Sequence, residues 1–247
     1  MSTLSRLTRS AALLIVLAGT IRARDLRFAV LISANAEWRV VKPLFAAATI
    51  GTSPYGEYFF ASIERERVLF FHGGWGKVAA AGSTQYVIDR FHPARLINLG
   101  TCGGVEGRIN RFDTVALEKV VIYDIAEAMG DSQEAIAHYS TALPLPPRLP
   151  VPVVKVTMYS ADRDLTAAGL RELDGLYRPV VADWESGAIA WVAHRNATPV
   201  LILRGVTDLV GPDHAEAQGN LRLFQDNTVR VMRNLVAALP KWLAAWR

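Results

Sequence analysis

Short apolar runs alternate along this chain with stretches whose apolar residues recur at helical spacing, the pattern of an α/β protein. Leu26-Arg27-Phe28-Ala29-Val30-Leu31-Ile32 is the first run. Val40, Val41, Leu44 and Phe45 follow at helical spacing, which predicts a buried strand feeding a helix with Glu37 in its first turn. Residues 58–63 and 68–71, separated by Glu64-Arg65-Glu66-Arg67, predict a hairpin, so the sheet is expected to be mixed. Small residues at 79–82 predict a further helix. Arg95-Leu96-Ile97-Asn98-Leu99 reads as a buried strand running into a glycine-rich turn, Gly100-Thr101-Cys102-Gly103-Gly104, and 114–122 and 153–159 read as two more strands. Residues 124–152 carry Pro144, Pro146, Pro147, Pro150 and Pro152 and read as a long loop, while 227–246 reads as an amphipathic helix broken at Pro240.

The stretch with the most chemistry lies late in the chain. One apolar run ends at Asp183 and Glu185, a small-residue helix covers 186–193, and a second run, 200–203, ends at Arg204, Thr207 and Asp208. Strand ends carrying carboxylates, a guanidinium and a hydroxyl are where open α/β sheets place ligands. The plain alternative is two ordinary strand ends with solvated charges, and for Glu37 a carboxylate favoured by the helix dipole.

Composition narrows the classes. The chain has 247 residues, 51% hydrophobic, with a formal charge of +4, long enough for one large α/β domain over 26–247. No Lys/Arg run with interleaved aromatics marks a nucleic-acid surface. Cys102 stands alone and the five His residues lack metal-ligand spacing, so neither a disulfide, a metal nor any other cofactor is expected. His72-Gly73-Gly74-Trp75-Gly76-Lys77-Val78 superficially resembles a phosphate loop, but Val78 stands where a Walker sequence needs Ser or Thr, and the glycine spacing differs. Residues 1–23, with Arg6 and Arg9 before an apolar stretch too short to span a bilayer, have the shape of a signal peptide. That implies export to the periplasm; the alternative is a cytoplasmic leader ahead of a domain beginning near Leu26.

Four motifs, in order, resemble the nucleoside phosphorylase and nucleosidase superfamily, most nearly the methylthioadenosine/S-adenosylhomocysteine nucleosidases. They are Gly74-Trp75-Gly76-Lys77-Val78-Ala79-Ala80, Ile97-Asn98-Leu99-Gly100-Thr101-Cys102-Gly103-Gly104, Asp183-Trp184-Glu185-Ser186-Gly187-Ala188-Ile189-Ala190 and Arg204-Gly205-Val206-Thr207-Asp208. The resemblance implies a three-layer sandwich, a mixed central β-sheet flanked by helices, assembled as a homodimer around a small-molecule nucleoside with no stable membrane insertion. It also implies Asp208 as general acid to the base and Glu37 as the residue that activates water. Glu185 would hold the ribose hydroxyls with Trp184 against the sugar face, and Arg204, Thr207, Thr101 and Gly103 would complete the substrate shell. Cleaving an N-glycosidic bond suits that pair, since an oxocarbenium-like sugar needs an acid for its leaving group and a carboxylate for the water.

The departures from the pattern concern the substrate. Arg163-Asp164-Leu165 follows Ser160-Ala161-Asp162 where adenine-selective members place an aromatic residue, and Thr207 and Trp184 replace the usual Ser and Met. A phosphorylase of the same fold and a non-catalytic binding or storage protein are the rival functions. Against the phosphorylase, Asn98 stands where an Arg is needed, and Ser33-Ala34-Asn35-Ala36-Glu37 replaces a loop carrying another Arg. Arg39 is the residue that could restore phosphate binding.

Overall fold

A computed structural model describes residues 26–45 and 48–247, so the leader-like residues 1–23 lie outside the described residues. The first half of the chain runs β1 (Phe28–Ile32), α1 (Asn35–Val41), a 3₁₀ turn (Lys42–Phe45), β2 (Ile50–Thr52), β3 (Glu57–Ile63), β4 (Glu66–His72), α2 (Gly76–Phe91), β5 (Arg95–Val105) and β6 (Thr114–Ile122). It continues through α3 (Ser132–Tyr139), β7 (Thr141–Ala142), β8 (Val154–Ser160), α4 (Ala167–Asp174), β9 (Val181–Asp183), α5 (Ser186–Arg195), β10 (Val200–Val210) and α6 (Leu221–Ala245).

The strands form one mixed sheet with a closed half and an open half. β5 pairs parallel with β10, β10 antiparallel with β6, β6 parallel with β8, β8 parallel with β9, and β9 returns antiparallel to β5. Five strands thus close on themselves and leave no free edge between them. From β5 the sheet continues through β1, β4, β3 and β2 as an open wing. The turn of the β3–β4 hairpin is Glu64-Arg65, both at positive φ (48° and 69°), the backbone that matches strand twist in a two-residue loop.

Helices cover both faces, which makes the three-layer α/β sandwich expected from the sequence. The period of two along β1 shows why: Ala29 and Leu31 join the core under α2 and α5, whereas Phe28, Val30 and Ile32 join the core under α1 and α6. Every residue of β1 is therefore buried, as its unbroken apolar run requires.

Four expectations are corrected. The glycine-rich stretch after Leu99 is not a turn, because β5 continues through it to Val105 with β10 on one side and β9 on the other. Likewise β10 does not end at Leu203 but runs to Val210, so Arg204, Thr207 and Asp208 lie within a strand. The segment 124–152 is not all loop: α3 forms there, its first turn capped by the Asp131 carboxylate accepting from the Gln133 amide at 2.8 Å. Finally, α6 starts at Leu221 and passes through Pro240 unbroken. Leu239 before the proline and Trp242 and Leu243 after it pack in the same core, and that burial outweighs one missing backbone bond.

Candidate active site

β1, β5, β9 and β10 bring their chemistry to one end of the sheet, where a cavity of about 700 Å³ opens. Glu37, Thr101, Gly103, Trp184, Glu185, Thr207 and Asp208 line it. Phe224 and Leu221 from the start of α6 and Leu165 ahead of α4 supply apolar wall. Seven of the eight residues expected from the sequence therefore share one cavity.

The eighth, Arg204, does not line it. Its side chain is fully buried beneath the floor and carries three carboxylates: Asp183 at 2.9 Å, Glu37 at 3.8 Å and Glu185 at 3.9 Å. Asn98 accepts from the same guanidinium at 2.8 Å and Ser186 from its Nε at 3.1 Å. Room for the group comes from Gly100, where a Cβ would sit 1.9 Å from Arg204 Nη1 and 2.9 Å from Glu37 Oε1. The glycine is thus required by a buried side chain, and the Thr101 amide next to it is taken by Glu37. Arg204, expected from the sequence in the substrate shell, is buried behind residues that line the cavity and does not line it itself.

Glu37 is 1% exposed and closely held. Thr101 donates to its Oε1 from the backbone amide at 2.6 Å and from the hydroxyl at 2.9 Å, and the Ala34 amide donates to Oε2 at 3.1 Å. The Ala34 bond is the helix-start contact that a carboxylate three residues into α1 can make. Glu37 is therefore both a helix-start residue and a cavity-lining one.

Asp208 owes its place to an irregularity. The pairing of β10 with β5 slips between Val206 and Asp208, so Thr207 is an extra residue and Asp208 faces Gly103. The Thr207 hydroxyl lies 2.7 Å from Asp208 Oδ1. Burial pushes the Asp208 carboxyl above its usual value, against the lowering effect of the Thr207 bond, and Glu216 and Asp164 add to the rise.

Glu185 accepts from the Gly76 amide at 3.2 Å, and the Lys77 amide donates to Asp162 at 2.8 Å. Two free amides at the start of α2 are thus satisfied by the protein's own carboxylates. Burial pushes Glu185 up to about 8, opposed by Arg204 and reinforced by Asp183 and Glu37. Unfolded, the group would titrate near 4.5, so between about 4.5 and 8 the folded chain binds the extra proton and stability falls as pH rises through that window. We expect the melting temperature of the free protein to drop between pH 6 and pH 8.5, and Glu185→Gln to flatten the drop. Equal slopes for the two proteins by scanning calorimetry would refute this.

Asp183, read from the sequence only as a strand-end carboxylate, and Trp75, read only as part of a motif, are given no individual site role. Asp183 makes the shortest of the ion pairs to Arg204, and both it and Ser186 are buried. Its apolar approach, Val180-Val181-Ala182, was a visible sign of a buried carboxylate. Trp75 stacks on Trp184 with ring centroids 4.9 Å apart, and its only sequence signal was its place among the glycines before Lys77. Among the described residues no group of His, Cys, Asp and Glu could hold a metal ion. None of the helices there is long and apolar enough to cross a membrane.

A mixed-sheet α/β enzyme with an acid-rich cavity over a buried arginine is what fold and site define together. The chain belongs to the phosphorylase superfamily, whose family model matches residues 27–239. A 5′-methylthioadenosine/S-adenosylhomocysteine nucleosidase from Halalkalibacterium halodurans is 29% identical over 198 residues, covering 74% of this chain and 84% of the relative. The apo structure of an Arabidopsis thaliana 5′-methylthioadenosine nucleosidase superposes with a TM-score of 0.73 at 21% identity, covering 87% of this chain and 96% of that one. The Streptococcus pneumoniae 5′-methylthioadenosine/S-adenosylhomocysteine nucleosidase, bound to a transition-state inhibitor, gives 0.70 at 18% identity, covering 90% and 100%.

Proposed function

We propose that residues 26–247 act as one catalytic domain that hydrolyses the N-glycosidic bond of a purine nucleoside related to methylthioadenosine and S-adenosylhomocysteine. The observation that carries this reading is the pair of buried carboxyl groups in one cavity with opposite surroundings. Asp208, whose pKa burial raises, is placed to carry a proton to a departing base. Glu37 is ringed by donors and stands by a cation, the setting of an anion that accepts a proton from water. In this reaction Asp208 protonates N7 as the bond from C1′ to N9 breaks. Glu37 removes a proton from the water that forms the new bond to C1′, and free sugar and free base leave. Glu185 binds the ribose hydroxyls, Trp184 covers the sugar face, and Thr101 and Thr207 hold the two acting carboxyls in place.

Water rather than phosphate as nucleophile is supported by what surrounds Glu37. Asn98 is spent on the Leu31 carbonyl at 3.0 Å and on Arg204, and Arg39 is exposed on α1, away from the cavity lining. Arg163 lines the cavity, but its guanidinium sits 5.1 Å over the Tyr123 ring and 3.7 Å from Glu172, neither of which lines it. A phosphate dianion would thus meet Glu37, Asp183, Glu185 and Asp208, with Arg163 the cation that lines the cavity and its guanidinium turned towards Tyr123 and Glu172. The test is chromatography of reactions with adenosine, methylthioadenosine, S-adenosylhomocysteine, inosine and futalosine, with and without phosphate. We expect free base and reducing sugar at a rate independent of phosphate; ribose 1-phosphate formed in proportion to added phosphate would overturn the hydrolase.

The assembly that goes with this reading is a homodimer. Val78, 87% exposed on the first turn of α2, is the kind of apolar surface a second copy would cover. Sedimentation equilibrium at the mass of two chains is the expected result.

A further inference from the structure

β10 pairs with β6 from Leu203 to Gly205, and beyond that point the backbone on either side of Asp208 finds partners outside the ladder. The Thr207 carbonyl accepts from the Asn227 side chain of α6 at 2.7 Å, and the Leu209 amide donates to Glu216 at 2.7 Å. Both bonds flank the acid, at the place where the bulge interrupts the regular register. A tight return of the chain brings Glu216 there: the Gly211 amide donates to the His214 carbonyl at 2.8 Å, Val210 bridges Ala215, and the Glu216 amide donates to the Leu209 carbonyl at 3.0 Å. The other carboxylate oxygen of Glu216 is met by Arg111, from the connection between β5 and β6. Neither residue lines the cavity, although Ala215 and Ala217 on either side of Glu216 do.

The charges around Asp208 do not all act alike. Burial raises its pKa most, the Thr207 bond lowers it, Glu216 and Asp164 raise it, and Arg111 lowers it. Cys102 on β5 is a buried thiol pushed well up itself, by burial first and by Asp208 among its neighbours. On the far side of the ion pair, Arg230 of α6 lies 3.8 Å over the Phe112 ring, and Glu106 and His214 pack at the Gly211 turn. Glu216 and Arg111 thus act on Asp208 with opposite signs while bonded to each other.

We propose that Glu216 and Arg111 form a charge clamp behind the acid, two positioning residues that fix the bulged strand at Asp208 through the Leu209 amide and hold a balanced pair of charges against it. This rests on Asp208 being the general acid. Balanced charges largely cancel at a neighbouring group, so losing either member does more than loosen the hairpin. Glu216→Gln keeps an oxygen for the Leu209 amide but leaves Arg111 unopposed, which favours the ionised Asp208 and takes its proton away at lower pH. Arg111→Gln leaves Glu216 unopposed, and the acid keeps its proton to higher pH. Both substitutions break the same ion pair, so a purely structural role would move the two variants in one direction.

The test is the pH profile of kcat and KM for methylthioadenosine in the wild-type protein, Glu216→Gln and Arg111→Gln. We expect the alkaline limb of kcat to move down by about one pH unit in Glu216→Gln and up by about as much in Arg111→Gln, with KM close to the wild type because neither residue lines the cavity. Well above the wild-type limb, that is roughly a tenfold loss in one variant and a tenfold gain in the other. Limbs that coincide or move the same way would overturn the clamp, as would a change confined to KM. Carbon-13 NMR titration of the aspartate carboxyls, with the Asp208 signal assigned by its loss in Asp208→Asn, keeps the two readings apart. Opposite displacements of its midpoint in a protein that hydrolyses no nucleoside would sustain the clamp and sink the nucleosidase. Hydrolysis with one midpoint common to all three proteins would do the reverse.

Discussion

Asp208→Asn is expected to lower the turnover number by about a hundredfold to ten-thousandfold, the usual contribution of a general acid, while the Michaelis constant and the melting temperature stay close to those of the wild type. The asparagine keeps the shape and an oxygen for the Thr207 hydroxyl 2.7 Å away, yet has no proton to give to N7. It also removes a carboxyl that burial already penalises when charged, so the fold has no reason to suffer. The pH dependence gives a second reading. Because burial raises the Asp208 pKa, the protonated acid persists to higher pH than an ordinary aspartic acid, and wild-type turnover should fall as pH rises through that raised value. Turnover within tenfold of the wild type in the asparagine variant, measured by chromatography of released base, would remove Asp208 from the acid role.

How legible this site was in the sequence depended on what kind of residue carried it. The carboxylates and their order along the chain could be read directly, because Glu37, Glu185 and Asp208 each follow an apolar run that must end somewhere. So could β1, β6, β8 and the β3–β4 hairpin, whose apolar content alone demands burial. The ends of β5 and β10 could not. Gly100 to Gly104 and Arg204 to Asp208 have the composition of loops, and they are strands because a closed ring of neighbours supplies their hydrogen bonds. The glycine at 100 and the arginine at 204 explain each other, but only across two paired strands, a relation no local window contains. The same holds for the bulge at Thr207, without which Asp208 would not face Gly103. For α3 the signal was local and readable in Asp131, yet five nearby prolines outweighed it, and Ile136 is the one buried residue of that helix.

Arg204→Met tests the other half of the design. Asp183, Glu37 and Glu185 all lie within 4 Å of the guanidinium, and side-chain exposures of 2%, 2% and 7% leave water little part in compensating them. Removing the cation leaves three buried carboxyls that must repel one another or take up protons, and breaking a buried pair from one side typically costs about 3–5 kcal/mol. For a chain of this length that is a fall of roughly 10 °C in melting temperature. The loss should deepen as pH rises, since the remaining acids are tolerated when protonated and not when charged; lowering the pH should restore part of the stability. Activity should vanish as well, although Arg204 does not line the cavity, because Glu37 loses the charge beside it and Asn98 loses the donor on its Oδ1. Should Arg204→Met fail to fold, Arg204→Lys decides the matter. A lysine keeps the charge but lacks the planar fork that reaches Asn98 and Asp183 from one nitrogen and Ser186 from another. It is expected to fold with a lowered melting temperature and reduced turnover, and a lysine variant equal to the wild type in both would show that the cluster needs a charge and not an arginine.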